Sequence, residues 1–193
     1  MANKDEMERF LQNAIQRGLC DEYIQEWSSV FNDKEKLVSL CLRQQSIPYL
    51  ATSVYEGWGL SIPYILSSFA PYINNGYKLL DCDKVKNNFY ELYVQHTIKH
   101  ELDCEISHYL NCRGEVIIPS YKCANLYISN KSKINIKLSG YNFLFVYIFD
   151  ESEINIDLMD ETSKVVVYKF SESAVVKSNG WKNIKVANKK LVL

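Results

Sequence analysis

Five residues of metal-ligating type recur at intervals of four along one stretch of this chain: His96, His100, Cys104, His108 and Cys112. Zinc takes such nitrogen and sulfur donors in a tetrahedral set. The same residues could in principle supply a thiol nucleophile with an imidazole base. Both ideas need convergence on a point, whereas an extended strand spreads its side chains along a line. No CxxC pair supports a metal, and no local nucleophile context supports a Cys–His pair. His96, His100, Cys104 and His108 are therefore minority metal candidates. The expected state is no metal, no cofactor and no catalytic residue, with these side chains packed as partly buried core. GxSxG, P-loop and GxGxxG motifs are absent, so the chain reads as a non-enzyme. Glu151, Glu153 and Asp157 alternate with apolar residues, the pattern of a solvated strand face.

Aromatic residues carry the other chemistry, that of recognition. Tyr127, Tyr147 and Tyr168 occupy equivalent places in successive sequence repeats. Stacked coils would set them in a column at the strand spacing of ~4.8 Å. Phe143, Phe145 and Phe149 take odd positions while Leu144, Val146 and Ile148 take even ones, so both faces of that strand require cover. One cover is a helical domain or a second subunit of this chain. The other is a partner protein, docked on Tyr127, Tyr147, Tyr168, Phe143 and Phe145.

The elements that position these residues follow from periodicity. From about residue 90 apolar residues alternate with polar ones. Tyr90, Leu92, Val94 and the His/Cys set fall on the even side, and Glu91, Tyr93, Lys99 and Glu101 on the odd side. Leu126-Tyr127-Ile128 is echoed by Val146-Tyr147-Ile148, and Ser132-Lys133-Ile134-Asn135-Ile136 by Ser152-Glu153-Ile154-Asn155-Ile156. A looser copy runs through Val167-Tyr168-Lys169 and Ser173-Ala174-Val175, offset by twenty-one. An earlier one runs from Tyr109 through Ile118, offset by eighteen, and Lys182 to Val186 begins a final coil. Corners fall at Ser129 to Ser132, Asp150 to Ser152 and Ser171 to Ser173. A unit of about twenty residues cannot bury its apolar side alone, so the copies predict a small β-solenoid rather than a sandwich of hairpins.

The first part of the chain has helical spacing instead. Met7, Phe10, Leu11, Ala14 and Ile15 share a side before Gly18. Asp21 and Asp33 are expected to cap two further helices, Ser46 and Pro48 to start a fourth, and Ser61 to cap a short one with Pro63 in its first turn. Asn74-Asn75-Gly76 reads as the closing turn. The fold class is thus α+β: a short helical bundle over residues 1–76, then a β-repeat domain over residues 77–193. No helix carries the basic cluster of a DNA-reading helix-turn-helix.

Balanced charge, 22 Lys+Arg against 23 Asp+Glu, gives no field to draw nucleic acid or an anionic membrane. The six cysteines are scattered, and neither a secretory leader nor a long apolar run is visible, so reduced thiols and a cytoplasmic location are expected.

The whole chain resembles a group of uncharacterised small proteins of gut Bacteroidales and their phages. The likeness rests on Gly18-Leu19-Cys20, Gly57-Trp58-Gly59-Leu60-Ser61, Phe69-Ala70-Pro71-Tyr72-Ile73-Asn74 and the β-repeat tail. The chain departs from that pattern between Cys82 and Asn88, where it is more charged. The resemblance implies a phage or mobile-element setting and no activity. The functional expectation is a non-enzymatic protein-interaction module that binds a host or toxin protein, with homo-oligomers left open. The alternatives are a virion or assembly component and a small-molecule- or metal-binding protein.

Overall fold

A computed structural model describes residues 2–41, 46–75 and 90–190. The chain divides into a helical unit and a β unit. The expected domain boundary at residues 76 and 77 and the charged stretch from Cys82 to Asn88 lie outside the described residues.

The helical unit holds α1 (Ala2–Gln16), α2 (Asp21–Val30), α3 (Lys34–Cys41), α4 (Ser46–Tyr55), α5 (Ile62–Ser68) and α6 (Ala70–Asn75). Its core is aromatic. Phe10 lies 5.1 Å from Trp27 and stacks on Trp58 at 6.1 Å, and Tyr49 meets Trp58 edge-on at 5.3 Å. The string Gly57-Trp58-Gly59-Leu60-Ser61 is a folding device. Gly57 turns the chain at φ 78°, and Trp58 and Leu60 are buried. Gly59 sits where a Cβ would come within 2.2 Å of Ser53 Oγ. Ser61 caps α5 by accepting the Tyr64 N–H at 3.3 Å, as its position predicts. Asp33 accepts the Lys36 N–H at 3.1 Å and caps α3. Asp21 differs from expectation: Cys20 is the N-cap residue, and Asp21 lies inside the first turn, where its charge faces the helix dipole. Asn74 and Asn75 belong to α6 rather than to a turn.

The β unit is a parallel β-solenoid of two sheets. Sheet A runs in the order β1 (Tyr90–Val94), β3 (Ile106–Leu110), β5 (Cys123–Ser129), β7 (Phe143–Ile148), β9 (Lys164–Lys169) and β11 (Ile184–Asn188). Sheet B runs β2 (Thr97–Glu101), β4 (Arg113–Ile118), β6 (Lys133–Leu138), β8 (Glu153–Leu158) and β10 (Val175–Ser178). Consecutive strands alternate between sheets, so each coil contributes one strand to each. Ile134 pairs in register with Ile154, and both are buried, as the echo predicts. Leu126, Val146 and Val167 form one interior column in sheet A, and Ile136 and Ile156 part of another in sheet B.

The corners explain why Ser recurs. After the sheet A strands, Gln95, Asn111, Asn130 and Asp150 all take left-handed backbone, with φ of 50°, 55°, 57° and 48°. Asn and Asp tolerate that region better than most residues. Buried hydroxyls then tie coil to coil. Ser132 Oγ accepts the Cys112 N–H at 2.9 Å, and Ser152 Oγ accepts the Ser132 N–H at 3.2 Å. The second corner uses Asn142, which accepts the Lys122 N–H at 3.0 Å and donates to Ser139 O at 2.9 Å and Ser163 Oγ at 3.1 Å. Buried turns would otherwise strand backbone donors away from water.

Two offsets differ from the sequence reading. Tyr109 pairs with Ile128 and Tyr127 with His108, so the early copy is offset by nineteen here, not eighteen. Val175 pairs with Glu153 and is exposed, while Ala174 is buried. The last sheet B corner holds one residue more than the echo assumed. A single-residue slip exchanges the two faces of a strand.

Gly114 stands between Ile98 and Ile134 in an interior column, with φ 136°, and a Cβ there would lie 1.9 Å from Ile98 O. The Gly114→Ala protein is expected to lose about 2–4 kcal/mol of solenoid stability through strain and displaced backbone. Urea unfolding followed by tyrosine fluorescence checks this, and a loss below about 1 kcal/mol would contradict the assigned register.

Candidate functional site

The outward side chains of the two sheets differ in kind. On sheet B most are charged or polar (Lys99, Glu101, Glu115, Lys133, Asn135, Lys137, Glu153, Asp157 and Lys177), with Ile117 and Val175 the exposed apolar exceptions among the described residues. Lys137 pairs with Glu115 at 2.7 Å, and Glu153 lies between Lys133 at 3.5 Å and Lys177 at 2.5 Å. The Lys177 and Lys133 ammonium groups hold the Glu153 carboxyl below the usual carboxylate range.

On sheet A the outward positions include a run of aromatic rings, beside Cys123, Asn125, Lys164 and Val166. Strand pairing brings His108, Tyr127, Tyr147 and Tyr168 into one column. The His108 ring stacks on Tyr127 with centroids 4.6 Å apart and planes 5° from parallel. Tyr127 stacks on Tyr147 at 4.5 Å and 8°, and Tyr147 meets Tyr168 at 5.3 Å and 34°. Lys189 Nζ closes the column 5.4 Å from the Tyr168 ring centre. Phe143 and Phe145 flank it, edge to face at 4.9 Å, and Phe145 lies parallel to Tyr168 at 6.4 Å. Phe149 is buried and stacks on Phe170 at 4.7 Å. Burial falls along the column: His108 is buried, Tyr127, Tyr147 and Tyr168 are half-buried, and Phe143 is 40% exposed. The column thus matches the expected strand spacing. Its first rung, His108, is the residue that an offset of eighteen assigns to Tyr109.

The His/Cys set is dispersed. Corners at Gln95–His96, Leu102–Glu105 and Asn111–Cys112 reset the alternation, so four-residue spacing does not keep these residues on one face. His96 is exposed at a corner and stacks on Tyr93 at 5.7 Å. His108 points outward on sheet A, and Cys104 and Cys112 are buried near corners. Among the described residues, no group of three or more His, Cys, Asp and Glu side chains is arranged to hold a metal ion. Burial pushes the Cys104 thiol well up and the Cys112 thiol up to about 11, so both stay protonated at neutral pH.

A polar cluster inside the first coil has no counterpart in the sequence reading. Glu91 and Tyr93 fall on the odd, supposedly solvated side, yet both are buried. Tyr93 Oη donates to Glu91 Oε2 at 3.1 Å, and His100 Nε2 lies 3.3 Å from the same oxygen. Tyr93 stacks on Tyr109 at 5.5 Å. Burial raises the Glu91 carboxyl, but hydrogen bonds from His100 and others outweigh that and leave it below the usual range. Aromatic Tyr93 and Tyr109 on odd positions are the signal that the odd side faces inward here. An open depression of about 330 Å³ lies nearby, lined by Gln95, His96, Thr97, Asn111 and Arg113. It is open and lined by polar residue types, unlike the enclosed, largely apolar clefts that bury small ligands. No helix among the described residues is long and apolar enough to cross a membrane.

Comparisons with protein-family models, with curated proteins and with solved structures find no match.

Burial drives the His108 imidazole down to about 3. An unfolded His takes up a proton near pH 6.5, so the unfolded state binds more protons between those values and stability rises with pH there. The contribution is complete above pH 6.5 and is lost as pH falls toward the folded value. Between pH 6.5 and 5 the wild-type protein should lose about 1.4 kcal/mol per pH unit more than His108→Phe, which keeps a stacking ring and removes the titration. Parallel slopes for the two proteins in urea titrations would contradict a buried neutral His108.

Proposed function

We propose that this chain is a non-catalytic protein-binding module whose outer sheet A face docks on an apolar surface of another protein. The observation that carries the reading is the Tyr127–Tyr147–Tyr168 column with Phe143 and Phe145 beside it, on a solenoid whose opposite face is charged. Tyrosine offers large contact area with few rotatable bonds, and stacking has already fixed these rings before any partner arrives. Little ordering entropy then remains to be lost on binding. The hydroxyls at the ring edges add polar contacts; the Tyr147 hydroxyl already lies 3.5 Å from Asn125 Oδ1. The likeness to proteins of gut Bacteroidales and their phages makes a bacterial host protein or a toxin the first partner to seek.

The test begins with capture of partners on immobilised full-length protein from a host lysate. Affinity is then measured with the purified partner. Changing Tyr127, Tyr147 and Tyr168 together to Ser should weaken binding at least tenfold, about 1.4 kcal/mol. Phe143→Glu, at an exposed rim position, should weaken it with less disturbance to the fold. Unchanged affinity in both variants, with far-ultraviolet circular dichroism intact, sinks the aromatic-face reading.

A further inference from the structure

From residue 123 to residue 183, charge in the solenoid alternates by coil. Residues 123–142 carry Lys131, Lys133 and Lys137 and no acid. Residues 143–163 carry Asp150, Glu151, Glu153, Asp157, Asp160 and Glu161 and no base. The coil that follows is basic again, and after Glu172 the only charged residues are Lys177, Lys182, Lys185, Lys189 and Lys190. Neighbouring coils of opposite sign pair across the stack: Lys131 with Glu151 at 3.2 Å, Lys133 and Lys177 with Glu153. Lys177 reaches back to the acidic coil and Lys189 to the Tyr168 ring. Among the described residues, Lys182, Lys185 and Lys190 have no acidic partner. The alternation of signs is interrupted at the last described coil.

The backbone and the core are interrupted at the same place. β11 ends sheet A, with β9 as its neighbour, and β10 ends sheet B. Lys189 N–H donates to Lys169 O at 2.7 Å. In a parallel ladder the donors alternate sides, so the N–H groups of Lys185 and Ala187 also face β9, and those of Val186 and Asn188 face outward. Val186 pairs with Val167 on the interior column, yet Val186 is 42% exposed where Val167 is fully buried. Among the described residues, the interior position Val186 lies open beside a strand edge with no further neighbour, and Lys182, Lys185 and Lys190 belong to the same last segment.

We infer that this end of the solenoid is a strand-addition site for an acidic extended segment of another protein, one that alternates carboxylate and apolar residues. Its backbone would pair with the outward groups of β11, its apolar side chains would cover Val186, and its carboxylates would meet Lys182, Lys185 and Lys190. Two copies of this chain joined end to end here would bring two lysine sets together, so charge opposes that pairing. The site adjoins the last rung of the aromatic column, where Lys189 lies over Tyr168, but uses different groups: the outward edge of β11, Val186 and the three lysines.

The probe is a blocked, fluorescein-labelled peptide alternating Glu and Val, titrated with full-length protein and read by fluorescence anisotropy. Saturable binding is expected, weakening as salt rises, and absent for a Lys/Val peptide. Lys182→Glu with Lys185→Glu should weaken it at least tenfold. Val186→Pro deletes an outward N–H without touching the β9 pairing and should weaken it to a similar degree. A Glu/Val peptide N-methylated on alternate residues makes the same test on the unaltered protein. A protein with Tyr127 and Tyr147 changed to Ser, neither of which lies on the strand beside β11, should bind the peptide like wild type, which separates this site from the aromatic one. Four outcomes overturn the inference: no binding; binding indifferent to both Val186→Pro and N-methylation; tighter binding of an oligothymidine that ignores Val186→Pro; or growth of large particles with concentration, showing a second copy at this end.

Discussion

Parallel backbone pairing between residues about twenty positions apart is the constraint on which the β unit depends. Once Ile134 is bonded in register with Ile154 and Tyr127 with Tyr147, every side chain lies directly beside its equivalent in the next coil. A position that works in one coil must then work against copies of itself. Interior columns become Ile, Leu and Val, because branched side chains interdigitate when stacked at strand spacing. The outer columns have two solutions. Like charges side by side repel, and over the last three strands sheet B sets Glu153 between Lys133 and Lys177. Aromatic rings can stack, so sheet A repeats Tyr. The two faces answer one geometric demand in different ways.

The corners set the limit on coil length. Each must turn the chain between sheets in a few residues while leaving no donor unpaired inside. Left-handed backbone at Asn111, Asn130 and Asp150 makes the bend, and Ser132, Ser152, Asn142 and Ser163 accept or donate across the stack. The Ser at the bend is small enough to fit, as its size alone suggests, but its hydroxyl also bonds the coil before it. Exposed ion pairs on sheet B contribute little stability by comparison. Their alternation opposes mispairing of coils more than it tightens the native stack.

How far the sequence discloses this arrangement depends on how strictly each coil repeats. In residues 123–169 the echo is close, and it supplies the strands, the corners, the Ile134–Ile154 contact and the tyrosine column. Where coils lengthen or shorten, it fails in a definite way. The first coil is four residues shorter in its sheet B pairing, His100 facing Val116 at an offset of sixteen, so alternation counted continuously from Tyr90 passes through corners that reset it. Glu91 and Tyr93 are consequently read as solvated when they are buried, and the His/Cys set is read as one face when it is three environments. The helical unit discloses its caps at Asp33 and Ser61 but not the close return of the α4–α5 loop onto α4 that demands Gly59. That demand comes from Ser53, which no local pattern can show.

A repeat that saturates its own interior leaves recognition to the places where the repeat is exposed or ends. Inside the stack, apolar columns are closed and the Cys104 and Cys112 thiols are protonated, so little chemistry remains there. Outside, the ordered aromatic face is apolar surface that stacking orders but does not remove from water. Among the described residues, Val186 and the outward edge of β11 are ordinary parts of the repeat with no further strand beside them. The forces that join coil to coil do not distinguish the chain's own next coil from a segment of suitable sequence. The lysines make the distinction, by favouring acidic segments over a second copy of the same basic end.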